Sequence, residues 1–556
     1  MNQLFRRPAL RAICLLAVAL AGLLAACGTA SETKTSSTTP STLRIGMQAS
    51  AIKTLNPFLA GYSGDVAAYN FQYPMLTQFD SNNTLQPGLA KSWSTSPDGK
   101  TWTFNLVNGA KWTDGQPITA EDAAFTINTV VRLKDGVAAN ISIYAPGIVK
   151  AWAPDPLTLK VELEAPQSAF LSNTNGLPVL PMHVWEPLAK GDGNKIKTFT
   201  GDPKDGPVVV SGPFVVEKWD PNGTTIFTRV DSYYGPKPKI SRWGWQVFTN
   251  SDAAVQALTS GQIDIVAGVP ATAVDPIKSS ANLTVEGFGL GELGIFMKYR
   301  DSNHPELQNP QVREALNLAI DRSGIVSSAF RGFATAGGTL FPPAWSPQYL
   351  SSPLPVPAFD VAKANQILDG LGYKRGSDGV RVANGRKMTY QAAGLSSRRD
   401  TYGRAADSVK QTLSQIGVQF QFDWVDDPYT AYMGSNYDYK SDYEAYFGGV
   451  LLTPDPDASL LMFTTDQLGV YNLWNYSNTQ LDKLYSEQSA NYDQTSRRTQ
   501  LDEATGILQT DQVELGLVWQ QTVVGWDSRW KNVSDLAGIN GWPNILSQDG
   551  FANISY

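Results

Sequence analysis

Two histidines, His183 and His304, stand far apart in a chain of 556 residues, and the two cysteines, Cys14 and Cys27, both lie near its start. An enzyme of this size needs a nucleophile beside its base, a cluster of nitrogen and sulfur ligands, or a glycine-rich phosphate loop. No such set can be assembled from these residues, and no glycine-rich stretch precedes a Lys-Ser or Lys-Thr pair. The expectation is a chain without catalysis, cofactor or protein-built metal site. His183, inside Pro181-Met182-His183-Val184-Trp185, reads as a packing residue, and His304, before Pro305, as a solvated loop residue. Asp455-Pro456-Asp457 offers two carboxylates, but prolines at 454 and 456 dictate a turn rather than a cage.

Aromatic side chains are abundant: 15 Trp, 22 Tyr and 22 Phe. Between Trp424 and Tyr446 lie Tyr429, Tyr432, Tyr437, Tyr439 and Tyr443, followed by Tyr471, Trp474 and Tyr476. Flat apolar faces with a hydrogen-bonding edge suit the enclosure of an organic solute, and they suit a packed core equally well. With 42% apolar and 17% charged residues the chain can build cores, and its length calls for more than one.

The first 26 residues carry Arg6, Arg7 and Arg11 ahead of an apolar run from Ala12 to Ala26, the pattern of a secretory signal. Leu24-Ala25-Ala26-Cys27-Gly28 ends it and resembles the bacterial lipobox, which implies that Cys27 is lipidated. Fifteen apolar residues are too few for an ordinary bilayer span. Cleavage there leaves one acylated cysteine and no possible disulfide. Residues 28–41 are almost entirely Gly, Ala, Ser, Thr and Pro, a flexible tether. Loss of three arginines and no acid moves the formal charge from −7 to −10. That balance, without a Lys/Arg run after residue 41, speaks against nucleic acid as a partner.

These features rest on elements that can be read from periodicity. Leu43-Arg44-Ile45-Gly46-Met47 alternates as a first strand. Asp98-Gly99 turns a hairpin whose second strand sets Trp102 and Phe104 on one face. Thr119 to Asp122 forms a capping box that opens a helix. Val312, Ala315, Leu316, Ala319 and Ile320 form one helical stripe; Ala406, Val409, Leu413 and Ile416 form another, stopped by Gly417. Val418, Phe420, Phe422 and Trp424 then alternate along a strand, giving a helix-then-strand unit.

Three stretches carry a resemblance: Leu85-Gln86-Pro87-Gly88-Leu89-Ala90-Lys91-Ser92-Trp93, Pro97-Asp98-Gly99-Lys100-Thr101-Trp102-Thr103-Phe104 and Lys111-Trp112-Thr113-Asp114-Gly115-Gln116-Pro117. Ser211-Gly212-Pro213-Phe214, Tyr233-Tyr234-Gly235-Pro236 and Val312-Arg313-Glu314-Ala315-Leu316 extend it. Together they resemble family 5 of the bacterial extracellular solute-binding proteins, the oligopeptide- and dipeptide-binding receptors of ABC importers, from about residue 43 to about 536. The Trp-Thr-Asp-Gly motif reads as scaffold, not as ligand contact.

The resemblance implies an α/β, two-lobed periplasmic-binding-protein (Venus flytrap) fold of the large class with a subdivided first lobe. The expected organisation is a signal peptide at 1–26, a tether at 27–41, lobe 1 at 42–295 with an extra subdomain at about 60–205, lobe 2 at 296–515, and a C-terminal return to lobe 1 at 516–556. It implies a monomer on the outer face of the cytoplasmic membrane, held by its lipid anchor, that passes a small solute to permease and ATPase subunits. Ligand contacts carry over to Gly61, Tyr62 and Ser63 in one lobe, and to Tyr446, Phe447, Gly448, Gly449, Val450, Leu451 and Leu452 in the other. Trp474 joins them as an aromatic wall. Glycines at 448 and 449 permit close approach of backbone to ligand.

One position departs from the pattern. Peptide-binding members carry an Asp four residues before the Pro of the Asp-Pro-Asp segment, where it pairs with the peptide ammonium; here Leu452 stands there. Asp426, Asp427, Asp438 and Asp442 are the neighbouring acids that could replace it. Peptide capture is the first expectation, an oligosaccharide in the same role the second, and a sensory or chaperone-like binding module the third.

Overall fold

In the computed structural model of the chain, residues 42–48, 51–61, 63–80, 84–337, 339–450, 455–536 and 548–556 are described. The signal, the tether and Cys27 lie outside the described residues, as do Tyr62, Leu451 and Leu452.

Two long antiparallel strands, Leu283–Met297 and Leu515–Asp527, organise the molecule. Leu283 to Phe288 pair with Asp527 to Thr522, the register slips, and pairing resumes from Gly291 opposite Gln520. Gly289, at φ +67°, occupies a backbone conformation that costs glycine nothing, inside that slip. On one side of the slip the second crossing strand pairs with Ile265–Ala267, followed by Leu43–Gln48, Arg242–Phe248, Thr224–Arg229 and Phe214–Lys218. On the other side the first crossing strand pairs with Ala445–Gly448, which leads by parallel pairing to Thr389–Leu395 and Gln419–Val425. Among the described residues the two half-sheets are therefore joined through these two strands, the architecture of a two-lobed α/β fold.

Each half has its own apolar packing. In the first, Phe71, Phe214, Trp243 and Phe551 make ring contacts at 5.0 to 6.1 Å, so the C-terminal helix Gln548–Asn553 closes the core begun by the first strand. In the second, the helix Pro310–Leu318 buries Val312, Ala315 and Leu316, while Arg399–Ser414 buries Ala406, Val409 and Leu413. These stripes follow the 3.6-residue period read from sequence.

A separate four-stranded antiparallel sheet, in the order Ala90–Thr95, Thr101–Leu106, Thr158–Leu163, Ile148–Asp155, packs against the helix Ala120–Leu133. Trp102, Phe104 and Leu106 alternate inward. The Asp122 carboxylate accepts the Thr119 backbone N–H at 2.9 Å and that of Met182 at 2.8 Å, so the capping box also ties down a distant loop. Trp112 is fully enclosed here, which accounts for its motif as scaffold.

Both histidines depart from expectation. His304 is buried: its Nδ1 lies 2.8 Å from Glu306 and its ring 4.9 Å from Tyr390, because the short helical turn Pro305–Gln308 folds onto the second core. His183 is exposed, and its Nε2 lies 2.7 Å from Asp114 of the Trp-Thr-Asp-Gly motif, a surface hydrogen-bonding position rather than core packing.

Candidate functional site

The slip between the crossing strands is where the two halves meet, and the strand Ala445–Gly448 ends beside it. Gly448 is buried opposite Gly294, whereas Gly449 is exposed and Val450 half-buried. A Cβ on Gly448 would lie 2.3 Å from the Tyr446 hydroxyl oxygen, and one on Gly449 2.3 Å from the Glu292 carbonyl oxygen. Gly449 is thus required by close approach of backbone to backbone, whereas at Gly448 the neighbour is the tip of the Tyr446 side chain.

Tyr446 is half-buried, with its ring 5.4 Å from Phe296, and burial, reinforced by nearby Tyr402, pushes its hydroxyl up to about 12. Phe447 points the other way, into the second core between Phe422 at 4.8 Å and Trp424 at 6.0 Å. Trp474 is 1% exposed and stacks on Phe463 at 4.2 Å. Neither ring offers a face to a cleft, so Trp474 is corrected from an aromatic wall to a core residue, while the main-chain contact expected of Phe447 does not involve its buried ring. Tyr432 is likewise buried, while Tyr437 and Tyr471 remain exposed. Of the two readings the sequence left open, packing applies to Tyr432 and Tyr439, whose hydroxyls reach carbonyls, Tyr432 donating to Leu473 and Tyr439 to Asn472.

In the first half, Gly61 is exposed and its N–H donates to Asp65 at 3.3 Å. The same carboxylate accepts from Lys53 and Thr54 N–H at 2.6 and 3.1 Å, so Asp65 sets the loop that precedes the helix Ser63–Gln72. Among the described residues no hydrogen bond joins Gly61 to the 446–450 segment. The acids considered as replacements for the missing Asp are engaged elsewhere or open to water. Asp426 accepts from Ser396 at 2.6 Å, Asp427 caps the helix Pro428–Met433, Asp438 pairs with Lys440 at 2.9 Å, and Asp442 is exposed. Asp455 belongs to the fold: Arg497 donates to it through both terminal nitrogens.

The acid that sequence reading passed over is Glu292, on the first crossing strand just past the slip. It is 4% exposed, it accepts the Val450 backbone N–H, and its Oε2 has no hydrogen-bond partner. Burial, then the charge of Glu514, raises its carboxyl well above the usual range. Gln520 stands across from Gly291 and donates to the Tyr402 hydroxyl at 2.8 Å. A lone acid in Gly291-Glu292-Leu293-Gly294, amid an apolar strand, was the available signal.

Comparison with known proteins places this geometry. The model for the bacterial extracellular solute-binding proteins, family 5 Middle, matches residues 84–469, more than half of the chain. The oligopeptide-binding protein OppA of Bacillus subtilis (strain 168) is 23% identical over 545 residues, 93% of this chain and 94% of that protein. Among solved structures, the periplasmic binding protein DppA from Helicobacter pylori in complex with the peptide STSA superposes with a TM-score of 0.70 at 21% identity, covering 92% of this chain and 98% of that one. NikZ from Campylobacter jejuni in complex with Ni(L-His) gives 0.74 at 20%, covering 93% and 99%.

Proposed function

The chain belongs to family 5 of the bacterial extracellular solute-binding proteins, and from that premise we propose that it captures peptides between its two lobes and hands them to the permease of an ABC importer. The observation that carries this reading is the join. Two half-sheets linked by two strands, with a glycine in the register slip, can rotate about one line without disturbing either core. Gly449 and Val450 lie against that line and offer main-chain groups to an extended ligand. Relatives point the same way: OppA is named for oligopeptides, and DppA was solved with one bound. The lobe limits near 288–291 and 520–522 are part of the proposal.

We test it by native mass spectrometry of residues 28–556. Short peptides released from the protein are expected; oligosaccharide masses would move the assignment to the second reading, which draws on the exposed rings of Tyr437 and Tyr471. That reading is weakened by the burial of Trp474 and Phe447, which removes aromatic area from any cleft. We also propose that Cys27 carries a lipid that holds the receptor at the outer face of the cytoplasmic membrane. Cys27→Ser is expected to move the protein from the membrane to the soluble fraction without changing solute affinity, as read by fractionation and calorimetry. ATP hydrolysis is expected only from partner subunits, since the sequence has no phosphate loop.

A further inference from the structure

Burying a carboxylate against a single N–H leaves most of its hydrogen-bonding capacity unmet, and native folds keep such groups rarely and for a reason. For Glu292 the obvious compensation, a protein cation, is missing. Among the described residues no Lys, Arg or His forms an ion pair with it. The residues beyond position 41 that lie outside the description contain no basic side chain at all. The charge that acts on it is that of another acid, Glu514, just before the second crossing strand, whose carboxyl accepts the Leu340 N–H. Among the described residues neither Glu292 nor Glu514 forms an ion pair, and the cation in the surroundings, Arg398, acts on Tyr446. The neighbouring Gly449 is exposed, and its added Cβ would stand 3.9 Å from the Gln520 side-chain nitrogen.

We infer that Glu292 is the specificity-determining residue of the cleft, and that the solute brings the missing cation: a protonated nitrogen that lies on the unpartnered Oε2. This rests on the solute-binding reading, and it assigns to Glu292 the acceptor task that Leu452 cannot perform. Burial raises this carboxyl; an arriving ammonium forms a charge-assisted hydrogen bond with the carboxylate, favours its ionised form and so drives proton release to solvent. The titratable and charged groups around it are Glu514 just before the second crossing strand, Tyr446 on the adjacent strand, Tyr402 on the helix behind Gln520, and Arg398, whose charge reaches Tyr446.

The test uses matched probe pairs that differ in one charge: trialanine against N-acetyl-trialanine, and the glucosamine trimer against the N-acetylglucosamine trimer. Calorimetry on the wild type and on Glu292→Gln, an isosteric change, measures each. Expected are an affinity about tenfold or more higher for the amine of at least one pair, proton release on amine binding seen across buffers of different ionisation enthalpy, and loss of both in Glu292→Gln. The variant should keep its affinity for the acetylated member and its unfolding temperature, which separates a lost contact from a lost fold. Preference for the amine confined to the sugar pair would uphold this inference while sinking the peptide reading. Equal binding of both members, discrimination surviving in Glu292→Gln, or no binding of any probe would overturn it.

Discussion

Two buried carboxylates in the second half of the molecule have opposite surroundings. Asp455 receives two nitrogens of Arg497, whose third nitrogen donates to Gln488 at 3.0 Å; Gln488 in turn donates to Asp457 at 2.7 Å. Glu292 receives one backbone N–H and faces another acid. The first is a closed network in which every member has a partner, and such networks fix one packing arrangement. The second is an open one. Burial alone therefore does not separate a structural acid from a receptive one; the count of partners does.

Breaking the closed network has the largest expected effect. Arg497→Ala strands Asp455 in the core and should cost about 3–5 kcal/mol in denaturant unfolding. A loss under about 1 kcal/mol would mean that the network is hydrated and that the contrast fails. The next effect is in pH. Burial pushes the Glu514 carboxyl up to about 8 and the Asp457 carboxyl, next to Asp455, to about 6. A carboxyl that holds its proton more tightly when folded gives the folded state more protons than the unfolded, so stability falls as pH rises from the unfolded to the folded value. For Asp457 that window ends near 6; for Glu514 it extends to about 8. Unfolding temperature should therefore decline between about pH 6 and 8 in the wild type and decline less steeply in Glu514→Gln, where the raised Glu292 carboxyl still contributes. The smallest effect is expected at the open site: Glu292→Gln, without solute, should change stability by less than about 1 kcal/mol or raise it, since it removes a buried ionisable group without removing a partner.

Much of the scaffold was legible because it obeys local rules. The stripe on Pro310–Leu318, the hairpin at Asp98-Gly99 and the capping box at Thr119 each need only near neighbours in the chain. The site was less so. Trp474 sits among polar residues in sequence, yet folds inward because Phe296 and Phe463, each more than ten positions away, enclose it. Asp426, Asp427 and Asp438 looked available by proximity and proved to be held by Ser396, a helix start and Lys440. Glu292 gave only a weak local cue, since its meaning depends on Val450 and Glu514, which flank two other strands.

The pairing of the crossing strands also sets an order in time. The second half-sheet is built from one stretch of chain, residues 291 to 520, whereas the first is closed by Thr522 to Asp527 and by Phe551, near the very end. A polypeptide delivered N-terminus first can finish the later lobe while the earlier one still waits for its last strand. The half that begins the sequence is the half that is completed last, and until then the aromatic surface of Phe71, Phe214 and Trp243 has no lid.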